Sequence, residues 1–207
     1  MKTRNSDYWH NEGSQKVFTH PIHQEWLSGV DRNASVLDFG CGYGRLTPDL
    51  RKQGFSWVYG YDSSEPLIKR AIKENPGAIY NDNIDQLSGE YFDLILCFAL
   101  FTSCPSANEQ TKLVSLINSL TQERALLYIS DYQTDDNPSY LERYEERQLN
   151  IYGCFQSGSA VFRHHLNGHF DGLLPNWRKL QERTVESKTL NGKEINIHQY
   201  LYAKEQY

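Results

Sequence analysis

The sequence predicts an α/β fold, a doubly wound and mostly parallel sheet with helices on both faces, and three observations carry that expectation. Apolar strand-like runs alternate with segments of helical period through the first two thirds of the 207 residues, a pattern that builds parallel sheets covered on both sides. The first such run stops abruptly at an acid and three alternating glycines, "SVLDFGCGYGR" at 35–45. The last part of the chain drops the alternation for two strand-like runs joined at Asn191-Gly192, a two-residue hairpin signal, so the sheet should end antiparallel.

Each element follows from local chemistry. "SVLDFG" reads as a buried strand, "RLTPDLRKQG" as a helix closed by Gly54, and "SWVYGYD" as a second strand. "SSEPLIKRAIKEN" opens on a capping serine, carries Pro66 in its first turn and stops before Pro76 and Gly77. "AIYND" and "FDLILCFAL" supply strands three and four. "SANEQTKLVSLINSL" sets Leu113, Leu116, Ile117 and Leu120 at helical intervals, and "RALLYISDY" is the fifth strand. "WRKLQERTVESKTL" and "KEINIHQYLYAKE" form the terminal hairpin. Between 133 and 176 the alternation lapses into an aromatic, glycine-spaced stretch, read as an insertion over the active face.

The bulk properties bound the function. A chain of this length, 39% hydrophobic and 23% charged, forms one domain, 1–207, that buries a core without disulfides or metals. It has no run of about 18 apolar residues to span a bilayer and no apolar segment near its start of the signal-peptide kind, so neither a membrane nor secretion is expected and a cytoplasmic location follows. Cys41, Cys97, Cys104 and Cys154 form no CxxC pair, which argues against a zinc site and for reduced thiols. A net charge of -5 gives no general attraction for a phosphate backbone, so small-molecule partners are expected and nucleic acid is not. The chain is expected as a monomer or homodimer.

The glycines explain the first motif. In open α/β sheets ligands bind beyond the carboxyl ends of the strands. Gly40, Gly42 and Gly44 lie at that turn, where missing β-carbons permit positive φ and close approach of a ligand to the main chain. Asp62 ends the second strand, 22 residues after Gly40, where an acid can accept from both hydroxyls of a ribose. The dinucleotide fingerprint GxGxxG would need glycine at position 45, which is Arg45. Asp38, two residues before the first glycine, repels a diphosphate and attracts an ammonium. The ligand should therefore carry a ribose and a positive charge.

That description fits S-adenosylmethionine, and "VLDFGCGYG" resembles the first motif of class I, Rossmann-like S-adenosylmethionine-dependent methyltransferases. The resemblance covers about residues 34–131, with the terminal hairpin similar to strands six and seven of that fold. It implies a seven-stranded sheet in the order 3-2-1-4-5-7-6, the seventh strand antiparallel. It also implies that Asp38, Gly40 and Cys41 line the methionine end, that Gly42 lets the cofactor approach, and that Asp62 with Ser63 beside it holds the ribose. Asp82 and Asn83 in "YNDNIDQL" match the adenine-binding position, with Asp85 as a competing register, and "FDLILCFALF" puts Cys97 and Phe98 beside the methionine moiety. The polar residue common after the fourth strand is replaced here by apolar residues, so that position assigns no catalytic group.

The acceptor side is read from two segments. The first 30 residues contain "DYWHNEGSQKVFTHPIHQEW", in which Tyr8 and Trp9 can cover the site as a lid and His20 can reach the cofactor or substrate; a surface helix with aromatic anchors explains the same residues. In the inserted region, Arg163 can clamp an acidic group and His165 can take a proton, while Tyr144 is a further substrate-binding candidate. In an extended run Arg163 and His165 share a face that His164 does not; a purely structural "FRHH" cluster is the competing reading. His165 and His169 lack the further ligands a metal site needs, so no metal is expected. The expected activity is methyl transfer from S-adenosylmethionine to a small-molecule acceptor, at O, N, S or C. RNA or protein methylation, a non-catalytic cofactor-binding regulatory module and a nicotinamide oxidoreductase are the alternatives.

Overall fold

A computed structural model describes residues 5–188, 192 and 194–205. Five strands in the first two thirds, β1 (Ser35–Phe39), β2 (Trp57–Tyr61), β3 (Ile79–Asn81), β4 (Phe92–Phe98) and β5 (Thr121–Tyr132), pair parallel with one another. In the inserted region β6 (Cys154–Ser157) and β7 (Ala160–Arg163) make a separate antiparallel hairpin. The final strands β8 (Trp177–Lys188) and β9 (Glu194–Lys204) return to the main sheet, β9 antiparallel to β5 and β8 antiparallel to β9. The seven-stranded sheet runs β3-β2-β1-β4-β5-β9-β8. Once the β6–β7 hairpin is set aside, this is the expected 3-2-1-4-5-7-6 order. Asn191 lies outside the described residues; the strands on either side of the turn pair as far as Lys188 with Glu194.

Strand alternation divides the core. Leu37, Ile95, Cys97, Leu127 and Ile129 point to one face, against Leu113, Val114 and Ile117 of α4 (Ala107–Ser119) and Phe170 of α6 (His169–Leu173). Val36, Leu94, Leu96, Phe98 and Tyr128 point to the other, against Leu50 of α2 (Thr47–Lys52) and Leu27. Each such aliphatic side chain removed from water contributes roughly 1.5–3 kcal/mol, so the register is strongly fixed. α3 (Glu65–Glu74) starts with Pro66 in its first turn and buries Leu67, Ile68 and Ala71. α4 starts on a capping box, Ser106 accepting from the Glu109 N–H while Glu109 reaches back to the Ser106 N–H.

Strand ends differ from expectation where the backbone turns. β4 stops at Phe98 because Ala99 takes a positive φ of 53°, which swings the chain out at the sheet's carboxyl edge. β5 begins at Thr121, with Arg124 at φ 65°. Over that same edge lie two covering segments. The first contains α1 (Ser6–His10), which rests on the β6–β7 hairpin through edge-to-face packing of Tyr8 on Phe162. The second, 133–176, carries α5 (Pro138–Tyr144), the β6–β7 hairpin and α6, more regular structure than its glycine spacing suggests.

Candidate active site

β1 ends in a turn that curls back onto β2. The N–H groups of Gly40 and Cys41 both donate to the Tyr61 carbonyl, at 2.8 and 2.9 Å. The Gly42 N–H donates to Asp62 Oδ2 at 3.0 Å, and the other carboxylate oxygen accepts from the Ser64 N–H at 2.9 Å. Gly42 has φ 54°, and a β-carbon there would meet only Phe18, 3.7 Å away. Glycine is thus required by the backbone and leaves open space, the cradle a closely approaching ligand needs. Gly44 is required for a different reason: a β-carbon would lie 2.3 Å from the Tyr80 hydroxyl.

Above this turn opens a cavity of about 910 Å³, counting space continuous with solvent at its mouth. Asp38, Gly40, Cys41, Gly42, Asp62, Ser63 and Phe98 line it together with Trp9 and His20. Its electrostatics are unusual. Asp38 is buried, and its Oδ2 has no hydrogen-bond partner. Burial is the main cause that pushes its pKa up to about 7; Asp62 adds to the rise and Arg45 opposes it. A buried carboxylate with an unused oxygen is an anion awaiting a donor or a cation. Asp62 is raised to about 6 by burial, against the two backbone N–H groups it accepts. His20 has Nδ1 on Ser130, by its carbonyl and hydroxyl, and an unpartnered Nε2. Burial first, and the Arg45 charge second, lower its pKa to about 3, so it is neutral at physiological pH. The Arg45 guanidinium donates to the His20 carbonyl at 2.6 Å, tying the first covering segment to the start of α2.

A second chamber of about 630 Å³, likewise counted to its mouth, adjoins the first, and Trp9, Phe18, Ala99 and Ser103 line both. Tyr8, Tyr132, Tyr140, Phe155 and Phe162 make it aromatic, and Arg143 and His164 are polar members of its wall. His164 Nδ1 bonds the Tyr144 hydroxyl at 2.8 Å, and that hydroxyl accepts from the Asp135 N–H at 3.1 Å. Nδ1 is the one acceptor within reach of the Tyr144 O–H among the described residues, and with that donation assigned the neutral ring carries its hydrogen on Nε2. Burial, aided by the Arg143 charge, lowers the His164 pKa to about 3.

Several sequence candidates lie elsewhere. Cys97 points to the opposite face of β4 from Phe98 and is sealed in the α4 core, the consequence of a period of two. Asp82 and Asn83 are exposed and line neither cavity. The Asp82 charge adds to burial and to Asp62 in holding the Tyr61 pKa up at about 12, while Asn83 accepts from the Asp85 N–H in a turn of its own. Tyr144 does not line the second chamber and stands behind three of its wall residues, hydrogen-bonded to His164 and packed on Tyr140 and Phe155. Arg163 and His165 are the clearest correction. The Arg163 guanidinium donates to the Pro105 carbonyl, and His165 is wholly buried between the Tyr132 carbonyl and Gln110, whose amide also engages His169. The face they share points into the protein and leaves His164 to face the chamber.

Several wall residues escaped the sequence reading, among them Phe18, Tyr132, Tyr140, Arg143, Phe155 and Phe162. Phe18 and Tyr132 carry no local signal. Arg143 does carry one: Tyr140, Arg143 and Tyr144 sit at i, i+3 and i+4, a single face of α5.

The strand order, the glycine turn after β1 and the acid after β2 define the class: a Rossmann-like, class I methyltransferase. Comparison with known proteins agrees. A sequence profile described as a methyltransferase domain matches residues 8–182, and the chain belongs to that family. The uncharacterized protein YmfD of Escherichia coli K12 is 27% identical over 167 residues, 72% of this chain and 73% of its own. An S-adenosylmethionine-dependent methyltransferase of Methanosarcina mazei superposes with a TM-score of 0.80 at 19% identity, over 92% of this chain and all of the other. The 1,6-didemethyltoxoflavin N1-methyltransferase of Burkholderia thailandensis gives a TM-score of 0.69 at 16% identity, over 98% and 84% of the two chains. The residues of the first cavity fit S-adenosylmethionine as the methyl donor: an open glycine cradle, an unpartnered buried carboxylate for positive charge, and a second acid at the end of β2.

Proposed function

We propose that the chain transfers the methyl group of S-adenosylmethionine to a small molecule held in the second, aromatic chamber. The observation that carries this reading is the shared wall: Trp9, Phe18, Ala99 and Ser103 border both cavities, so a donor over the glycine turn and an acceptor among the tyrosines would meet there. Methyl transfer to a nucleophile is an in-line displacement, and alignment of two bound reactants is most of what the protein supplies. Asp38 would face the positively charged methionine end, Asp62 the ribose, and Asp82 and Asn83 the adenine. Residues 1–30 and 133–176 serve as lid and acceptor wall of a single domain spanning 1–207. His20 and His164, both held neutral, position ligands through their Nε2 atoms. The Burkholderia structure, a 1,6-didemethyltoxoflavin N1-methyltransferase, holds a small molecule, 1,6-didemethyltoxoflavin, together with S-adenosylhomocysteine. The four buried, free cysteines suit the reducing cytoplasm. Among the described residues no helix is long and apolar enough to cross a membrane.

Incubation with S-adenosylmethionine and a metabolite panel, reading formation of S-adenosylhomocysteine, tests the reading. Turnover of one or more small acceptors is the expected result. Cofactor binding without turnover across the panel, joined to RNA binding that weakens steeply with salt, would favour RNA modification instead.

A further inference from the structure

Resting on the assignment of the second chamber to the acceptor, we propose that this chamber selects planar aromatic anions, with the Arg143 guanidinium as the anchor for the negative group.

The wall supplies the argument. Arg143 is its one charged residue among the described residues, and no aspartate or glutamate lines it. The guanidinium stacks on the Phe155 ring, 4.2 Å from ring centre. Stacking holds the plane and leaves the edge N–H groups free, the geometry suited to bidentate capture of a carboxylate or a similar planar anion. Arg143 makes no ion pair among the described residues. Glu12 accepts from the Ser159 hydroxyl and Glu146 from the Gln156 N–H at 3.0 Å, and neither lies within ion-pair distance of Arg143. A partly buried cation without an anion pays for its desolvation unless a ligand compensates it.

The other polar groups have the same sign of demand. The Thr102 and Ser103 hydroxyls donate to the Arg163 and Ala99 carbonyls and are spent within the protein. The hydroxyls of Tyr8 and Tyr132 and Nε2 of His164 have no protein partner among the described residues, and each can donate. The low His164 pKa, due to burial and then to Arg143 itself, keeps that ring a neutral donor. A chamber with one cation, several free donors and no acid is complementary to an anion and repels a cationic amine. Its rings fix the shape of the rest: Tyr140, Phe155 and Phe162 give aromatic faces on which a flat ligand stacks.

Titration calorimetry on the full chain, saturated with S-adenosylhomocysteine, tests this with 2-naphthoate, indole-3-acetate and 4-hydroxybenzoate, each beside its uncharged carboxamide. At least one carboxylate should bind tenfold or more tightly than its amide. Arg143→Ala and Arg143→Gln should abolish that preference, Arg143→Lys should keep part of it, and S-adenosylhomocysteine affinity and thermal melting should stay near wild type in all three. Absence of any carboxylate preference, or a preference that survives Arg143→Ala, overturns the inference. The two proposals fail separately. An uncharged acceptor turned over equally well by Arg143→Ala sinks the anion selectivity and leaves methyl transfer standing; carboxylate capture at Arg143 with no turnover of any panel member sinks methyl transfer to small molecules.

Discussion

In the proposed cofactor role, Asp38 should make cofactor affinity a function of pH. Its pKa in the folded, free protein is about 7, above the ordinary 3.8, because burial disfavours the charge. The folded state therefore binds that proton more tightly than the unfolded chain, and Asp38 lowers the stability of the free protein progressively as pH rises from about 4 through 7. Asp62, raised to about 6, acts with the same sign over a narrower window. A positively charged cofactor needs the ionised form of Asp38, so its affinity should rise over the interval in which stability falls. Calorimetry at pH 6, 7 and 8 should find S-adenosylmethionine bound about tenfold more weakly at pH 6 than on the plateau above 8. Asp38→Asn should bind weakly at every pH and flatten the profile; an unchanged slope in that variant would remove Asp38 from the site. Asp62→Ala should cost roughly 1–3 kcal/mol of cofactor binding, since the Gly42 N–H and the ribose hydroxyls lose one acceptor together. Asp38 and the glycines were legible because they share one short turn, and Asp62 because a strand–helix–strand unit sets the next strand's end 22 residues after Gly40. Arg143 and His164 were not, because they enter the site only after α5 and the hairpin fold back over the sheet.

Elements of the lid can be tested apart from the cofactor turn. Gly153 sits just before β6 at φ 86°, and a β-carbon there would lie 2.2 Å from the His164 carbonyl oxygen, which is backbone and cannot swing aside. The His164 N–H also donates to the Gly153 carbonyl at 3.0 Å, so the two strands of the hairpin close against each other beside the chamber wall. Gly153→Ala should destabilise the protein by at least the ~1–3 kcal/mol of a residue forced into a left-handed conformation, and should displace His164. Thermal melts should drop while S-adenosylhomocysteine affinity, measured below the melt, is retained; equal losses in both would show that lid and cofactor turn form one cooperative unit. Gly42→Ala carries the left-handed strain but no clash, so melting should fall less than in Gly153→Ala while cofactor binding falls much more, because the added β-carbon enters the space proposed for the ligand. At this scale the alternation of strands and helices was readable from periodicity. The orientation of "FRHH" was not: β7 ends at Arg163, and His164 and His165 are set by the backbone's bonds to Gly153 and Tyr132 rather than by strand period alone.

Across the whole molecule, both chambers are roofed by a segment that precedes the sheet, and a buried side chain at its start, Asn5, ties it to the β6–β7 hairpin. Asn5 pairs with that hairpin as a strand would: its Oδ1 accepts from the Val161 N–H at 3.1 Å, and its Nδ2 donates to the Val161 carbonyl at 2.6 Å. Nδ2 also reaches the Ser103 carbonyl at 3.1 Å, in the loop after β4 that borders both cavities. Four residues on, the Trp9 carbonyl accepts from the Ser64 hydroxyl at 2.9 Å, next to Asp62. The β6–β7 hairpin, the loop after β4 and the loop after β2, far apart in sequence, are thus joined through residues 5–9. Asn5→Ala would leave the buried Val161 N–H and two carbonyls without this partner, at a cost of roughly 1–3 kcal/mol per orphaned group if they stay buried. Letting the segment lift away is the less costly response, since water then satisfies them. Hydrogen exchange of Asn5→Ala should therefore show faster exchange at residues 5–20 and in the β6–β7 hairpin, with β1, β4 and β5 as protected as in wild type. Cofactor and acceptor affinities should weaken together, because Trp9 and Phe18 wall both chambers. Loss of protection spread evenly through the central sheet would mean instead that Asn5 supports the fold and not the roof.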